Sequence, residues 1–552
     1  MPFAGGTEGE GLLGGSDVAR ARLIPTLPIA GRAGLAVMLT AVVIASGCSS
    51  DDDGADQGEP AIEPGDYAVP TPEVSPPPAE GAGISRPQPA APLPPGYTEE
   101  ELLLAGTATS FQSVDTPEDG SWTVAAGDEA DYRTRVLVRR PPPEDFSGTV
   151  VVEWFNVSAI ESSPDWAYLS EEIGREGHAY VGVSAQAQGV EGGETLLDLD
   201  VDEGAAAEAG ANTDTGGLKN IDPERYGTLV HPGDAYAFDI YSQVGRAITE
   251  RPAEVLGGLV PTQVIAVGES QSAGFLSTVV NAVHPLDPVY DGFLIHSRGA
   301  NPAPLDAKYR RSSGDEDGEG DKGADFTEGE VQIRTDLDEP VLIFETETDL
   351  TLLGYANARQ DDTDRVRTWE IAGTAHADAH LMRSLLGGPR DPSSGALLGC
   401  TEPINIGPHH EALQAGLHHL VGWAAGGAAP PEAERIELED GDEVVISRDE
   451  HEIAIGGVRT PLVDVPVLAS TGEPPGGGPT DDPGGDDLDI CVLFGTTIPF
   501  DQATLLDLYG SFDTYIQDFR ASAADAVSAG FLMQGDADEL IAEAELNAPL
   551  FG

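Results

Sequence analysis

Apolar and polar positions change rhythm several times along the chain. Thr149-Val150-Val151-Val152-Glu153-Trp154-Phe155 is a continuous β-prone run, as expected for a strand buried on both faces. Pro164 to Glu176 switches to a helical period, with Trp166, Leu169 and Ile173 at spacings of three and four. Short apolar runs return at Ala179–Ser184, Val264–Val267, Gly292–Ile295, Pro340–Phe344 and Arg367–Ile371, with helical stretches such as Ser272–Ala282 between several of them. Strands alternating with helices predict an α/β fold: a mostly parallel central sheet flanked by helices. The sequence shows no internal repeat.

Two segments interrupt this rhythm. Residues 190–222 are rich in Gly, Ala and Asp and read as a lid-like insertion. Residues 312–330 form a second, acidic insertion. Its Asp315-Glu316-Asp317-Gly318-Glu319-Gly320-Asp321 loosely mimics a calcium loop, but Phe326 stands where the bidentate Glu belongs, so it reads as a solvated loop. A boundary follows at Gly426-Gly427-Ala428-Ala429-Pro430-Pro431. Beyond it, a β-rich stretch from Ile436 to Leu468 and an amphipathic helix from Leu505 to Ala529 predict a β-rich and helical C-terminal extension, 425–552, packing on a core of 97–424.

The N-terminus reads as an address. Gly34 to Ser46 is an apolar stretch of signal-peptide length, preceded by Arg20, Arg22 and Arg32. Ala45-Ser46-Gly47-Cys48 resembles a bacterial lipobox, which implies cleavage after residue 47 and lipid attachment at Cys48. Residues 48–96, rich in Asp, Pro, Gly and Ala, then read as a disordered acidic linker.

Composition narrows the partners. The 552 residues carry a net charge of -68, with only Lys219, Lys308 and Lys322 as lysines. Such a surface repels phosphate backbones and anionic membranes, so nucleic acid is excluded and membrane attachment is expected through lipid alone. Hydrophobic residues make up 40%, enough for a real core. Three cysteines exclude a disulfide-dense scaffold and a four-cysteine zinc site; Cys400 and Cys491 are left as a possible disulfide.

The chemistry concentrates in Val264-Ile265-Ala266-Val267-Gly268-Glu269-Ser270-Gln271-Ser272-Ala273-Gly274, a buried strand running through a tight turn into a helix. A serine on such a turn projects its Oγ from the sheet edge, and the residues two before and two after must be small; Gly268 and Ser272 are. Ser270 is the candidate nucleophile. It needs a base, and the base an orienting acid. Asp349, just past the Pro340–Phe344 strand, is the candidate acid, with Glu347 as the alternative. His376, in Ala372-Gly373-Thr374-Ala375-His376 past the strand ending at Ile371, is the candidate base. The oxyanion would take one donor from the Gln271 N–H and another from Asn156 or Val157. His380 lies four residues beyond His376, but no third metal ligand accompanies the pair, so no metal and no cofactor is expected.

With these residues in place, the chain resembles the α/β-hydrolase superfamily, and more narrowly the bacterial, often secreted α/β-hydrolase-domain proteins. The resemblance rests on Val152–Ser158, Tyr180–Gln186, Gly268–Ser272, Thr346–Asp349, Gly373–His376 and Gly456–Pro461. It implies a serine-hydrolase triad with esterase-like activity. The expectation is a lipid-anchored, extracytoplasmic hydrolase of small carboxylic esters, including lactones; a peptidase or amidase on the same scaffold and a non-catalytic surface binding protein are the alternatives. The sequence does not set an oligomeric state.

Overall fold

The computed structural model describes residues 60–552 apart from 90, 194–215, 307–329, 387–389, 442 and 475–489. The expected signal sequence, Cys48, the middle of the 190–222 insertion and nearly all of the acidic one therefore lie outside the described residues. In chain order the main sheet contains β1 (Glu73–Ser75), β2 (Thr98–Asp115), β3 (Thr123–Arg140), β4 (Thr149–Trp154), β5 (Ala179–Val183), β6 (Gln263–Glu269), β7 (Gly292–His296), β8 (Val341–Thr346) and β9 (Val366–Ile371). Across the sheet the order is β1-β2-β3-β5-β4-β6-β7-β8-β9. From β5 to β9 every neighbour is parallel. β3, β2 and β1 continue it antiparallel.

Alternate residues of each central strand feed opposite faces, which is why these strands read as unbroken apolar runs. Val150, Val152, Val264, Ala266, Ile295 and Ile343 pack in one core with helices α2 (Ala237–Glu250) and α3 (Gln271–Thr278), through Phe238, Tyr241, Val244, Phe275 and Leu276. Val151, Ile265, Val267, Leu294, Leu342 and Phe344 pack in the other with α1 (Pro164–Glu176) and α4 (His409–Ala424), through Trp166, Leu169, Ile173, Leu413, Leu417 and Leu420. Each fully buried aliphatic or Phe side chain contributes about 1.5–3 kcal/mol. The result is the α/β-hydrolase fold that the sequence predicts.

The structure differs from the sequence pattern in four places. Residues 60–96 are not a free linker. Ser75, Val74 and Glu73 pair with Leu103, Leu104 and Ala105 of β2, Tyr67 donates to Asp239 at 2.7 Å, and Val69 and Ala91 are buried. A Pro-rich composition signals an extended chain, but not whether a sheet edge or helix is there to receive it. Second, the long β2–β3 hairpin, with bulges between Thr109 and Phe111 and between Ser113 and Asp115, lies in a stretch where no strand was expected. Third, the expected helix over Leu505–Ala529 breaks at Gly510, where φ is 71°. Ser511 then caps a new helix, α5 (Phe512–Ala529), by accepting from the Thr514 N–H. The stretch from Ile436 is held by isolated bridges, such as Ile436 with Gly456, rather than by full strands. No described helix is long and apolar enough to cross a membrane.

Cys400 and Cys491 are bonded, with Cα atoms 5.5 Å apart, inside a small apolar cluster that includes Ala377, Ile404 and Phe494. The bridge spans 91 residues, so it removes much of the unfolded chain's freedom. Replacing both cysteines by serine is expected to lower stability by about 2–5 kcal/mol, read as a shifted denaturant midpoint; an unshifted midpoint would show that the bridge adds nothing.

Candidate active site

Ser270 follows the last residue of β6 and caps α3. Its φ of 58° is positive, one of three such non-glycine residues among those described. The turn is crowded: a Cβ on Gly268 would meet the Ser272 carbonyl oxygen at 3.1 Å, which is why glycine stands there. The Ser270 N–H donates to the His296 carbonyl at 2.9 Å and so ties the strained turn to β7. Ser272 is fully buried, whereas Ser270 is partly exposed.

His376 lies in the loop after β9 and is 5% exposed. The Ser270 hydroxyl lies 2.9 Å from its Nε2. Its Nδ1 lies 2.7 Å from Asp349 Oδ1. The other Asp349 oxygen accepts from both the Thr346 N–H and hydroxyl at 2.7 Å, so the carboxylate is fixed from two sides. Burial alone would raise the Asp349 pKa, but the His376 charge and these hydrogen bonds outweigh it and hold the carboxyl below its usual range. For His376, burial works downward, and the Asp349 and Glu269 charges overcome it to raise the imidazole pKa.

Glu347, the alternative acid, is turned elsewhere. Its oxygens accept from the Gly373 N–H at 2.6 Å, the Gly472 N–H at 3.0 Å and Arg448 at 2.8 Å. It fastens the His376 loop to the C-terminal region. Asn156 is also reassigned. Its N–H donates to the Ser162 carbonyl at 3.0 Å and is not free for an oxyanion. The Val157 N–H faces the turn, donating to the Gln271 side-chain oxygen at 3.3 Å. The Gln271 N–H opens α3, where no intrahelical carbonyl lies in reach. His380 bonds the Ala167 carbonyl through Nε2 at 3.2 Å and stacks on His410, away from His376.

Three residues here carry no signal in the local pattern. Glu269, 7% exposed, places Oε1 3.2 Å from His376 Nε2. His296 and His409 form a buried chain: His409 Nδ1 lies 3.0 Å from the Ala375 carbonyl, His409 Nε2 lies 2.6 Å from His296 Nε2, and His296 Nδ1 lies 2.9 Å from Asp165 Oδ1. A carbonyl only accepts, so His409 Nδ1 donates. Burial pushes the His409 pKa far below its usual value and that of His296 down to about 3, so both rings are neutral. His409 Nε2 must then accept from His296 Nε2–H, and His296 Nδ1 is left as a lone pair. Asp165 has to be the donor, hence a neutral acid, in keeping with burial pushing its pKa up to about 8. The only sequence signal is polar residues at positions that the helical and strand periods make internal.

A family model described as alpha/beta hydrolase domain matches residues 73–542. Solved structures similar in fold include a fungal esterase from Rhizomucor miehei (TM-score 0.27, 9% identity, covering 61% of this chain and 86% of that chain). A thermostable esterase from Pseudomonas putida (0.24, 11%, 53% and 81%) and acetyl xylan esterase 1 from Thermoanaerobacterium (0.25, 11%, 55% and 81%) are two more. At these TM-scores nothing about the reaction rests on them. No curated protein is significantly similar to the chain in sequence.

The neutral Asp165 is testable. Asp165→Asn keeps a donor against His296 Nδ1 and is expected to leave stability close to that of the parent. Asp165→Ala strands the lone pair and is expected to cost about 1–3 kcal/mol. Equal losses in denaturant unfolding would mean that the hydrogen bond between residue 165 and His296 adds nothing to stability.

Proposed function

The chain belongs to the α/β-hydrolase domain family, and on that premise we propose that it is a serine hydrolase cleaving small carboxylic esters, lactones included. The single observation carrying this reading is the unbroken series Asp349 Oδ1, His376 Nδ1, His376 Nε2, Ser270 Oγ, with links of 2.7 and 2.9 Å. His376 takes the Ser270 proton as Oγ attacks the ester carbonyl. Asp349 keeps Nδ1 protonated and Nε2 free, and balances the imidazolium that forms. The Gln271 and Val157 N–H groups receive the oxyanion, the Gln271 side chain giving up its place on Val157. His376 hands its proton to the departing alkoxide, and water, activated in the same way, releases the acid and restores Ser270. None of these steps calls for a cofactor.

Ser270→Ala is expected to abolish hydrolysis of p-nitrophenyl esters and labelling by a fluorophosphonate probe with folding unchanged, and Asp349→Asn to lower kcat by roughly 10³–10⁴. Retained turnover in the Ser270 variant would end this reading. Faster cleavage of peptide anilides than of esters would move it to an amidase, and no label on a folded protein would move it to a binding protein.

We further propose that Cys48 is the lipid attachment point and that the enzyme works outside the cell membrane. The support is Ala45-Ser46-Gly47-Cys48 behind the apolar Gly34–Ser46 stretch. Expressed in a bacterium with lipoprotein processing, the parent is expected in the detergent phase of a phase-separating detergent and Cys48→Ala in the aqueous phase. Equal partitioning would remove the anchor.

A further inference from the structure

Two groups meet His376 at Nε2. Ser270 Oγ is 2.9 Å away and Glu269 Oε1 3.2 Å. Glu269 is held there. Its other oxygen accepts from Asn156 Nδ2 at 3.2 Å, and the same amide reaches the Glu269 carbonyl at 3.1 Å. The amide cannot be turned over, because Asn156 Oδ1 accepts from the Ser158 N–H at 2.8 Å. Among the described residues the one ion-pair partner of Glu269 is His376.

This arrangement poses a proton problem. If Ser270 donates to a neutral Nε2, the imidazole lone pair also faces Glu269, and an ionised carboxylate facing a lone pair is repulsive. The contact is favourable in two states only: a carboxylic acid donating to Nε2, or a carboxylate accepting from an imidazolium. Both contain the same number of protons, and in both His376 has no lone pair free for Ser270. The surrounding groups do not remove the conflict. Asp349 faces Nδ1 from the turn after β8, Asp165 and Tyr168 approach from α1, His296 from β7 and His409 from α4. Of these the two histidines are neutral, and Asp165 is the neutral acid at the end of their chain.

We propose that Glu269 is a positioning residue acting through His376: the resting site holds one proton between the Glu269 carboxyl and Nε2, and the imidazole serves Ser270 only once that proton has left to solvent. The idea rests on the serine-hydrolase reading above. After that loss the cycle runs without net transfer to Glu269. The Ser270 proton moves to Nε2 as the Oγ–carbon bond forms, and the same proton leaves on the alkoxide as the carbon–oxygen bond breaks. While His376 is an imidazolium, the Glu269 carboxylate stabilises it. Burial pushing Glu269 up to about 8 agrees with a proton retained near neutrality. The net effect is a stronger base available at higher pH.

The test is the rate of fluorophosphonate labelling at Ser270 against pH, with p-nitrophenyl acetate turnover as a second readout, in the intact chain. For the parent, labelling is expected to rise along an acid limb. Glu269→Gln is expected to move the midpoint of that limb down by about one pH unit or more and to lower the alkaline plateau of kcat, with KM little changed. A Gln variant with the parent's midpoint, whatever its plateau, overturns the role of Glu269 and leaves the hydrolase reading standing. A parent that never labels overturns the hydrolase reading itself. If the Gln variant does not fold, Glu269→Asp decides by the same measurement: withdrawing the carboxylate by one methylene should shift the midpoint in the same direction by less, and an unmoved midpoint rejects the proposal.

Discussion

The site depends on parallel strands that end level. In the register of the sheet Glu269 stands opposite His296, His296 opposite Phe344, and Thr346 opposite Ile371. The loops bearing Ser270, Asp349 and His376 therefore leave one edge of the sheet side by side. A slip of one residue would exchange the two faces of a strand, sending Val264 and Ala266 toward α1 and α4 and turning Ser270 away from His376. Two cores, each with its own set of alternating side chains, oppose such a slip, so the precision of the site is inherited from packing. The positive φ at Ser270 costs about 1–3 kcal/mol and persists because α3 holds the residues that follow it and the His296 carbonyl holds its own N–H.

Beneath this edge lies a polar layer in which identical side-chain types are driven to different charge states. Asp349 accepts from the imidazole and twice from Thr346 and is held as the anion. Asp165, in the same interior but facing a lone pair, is held neutral. Glu269 lies between these extremes, with one amide donor and a shared imidazole proton. Environment separates the three carboxyls, so that a single imidazole can be poised between acid and base. The neutral histidine chain adds a mechanical link: His409 grips the carbonyl of Ala375, the residue before His376, while the His296 backbone grips Ser270. Base and nucleophile are thus anchored to one buried unit.

What the sequence made legible is what is local. The turn around Ser270 has a strand before it, a helix after it and small residues at fixed offsets, all within a dozen positions. His376 and Asp349 were recognisable as polar residues just past apolar strands. The choice between Asp349 and Glu347 was not, because it depends on Gly472 and Arg448, far along the chain, drawing Glu347 away. Asn156 illustrates the same limit: its N–H is taken by Ser162 in a turn that composition does not reveal, while its side chain has a different task at Glu269. The β2–β3 hairpin is not legible because three consecutive glutamates, Glu99 to Glu101, precede three leucines, and that order hides a period of two. The prolines of residues 60–96 marked extended chain correctly and said nothing of the surface it covers.

The C-terminal region is best understood through the His376 loop rather than as an appendage. Glu347 binds Gly373 with one oxygen, and Gly472 and Arg448 with the other. The Asn405 side chain donates to the carbonyls of Gly373 and Thr471, each at 3.0 Å. Ala372 donates to the Val458 carbonyl at 3.1 Å, and Ala377 to that of Leu493 at 2.9 Å, close to where the disulfide fixes Cys491. Residues on both sides of the base are therefore fastened by segments beyond residue 400. A loop that ends a strand is ordinarily among the more mobile parts of a fold, yet a general base must keep its distance to the serine constant to within about 0.5 Å. The added bonds resolve that conflict. They make the C-terminal segments part of the apparatus that orients His376, although among the described residues the Ser270 hydroxyl is hydrogen-bonded to His376 and to no side chain of these segments.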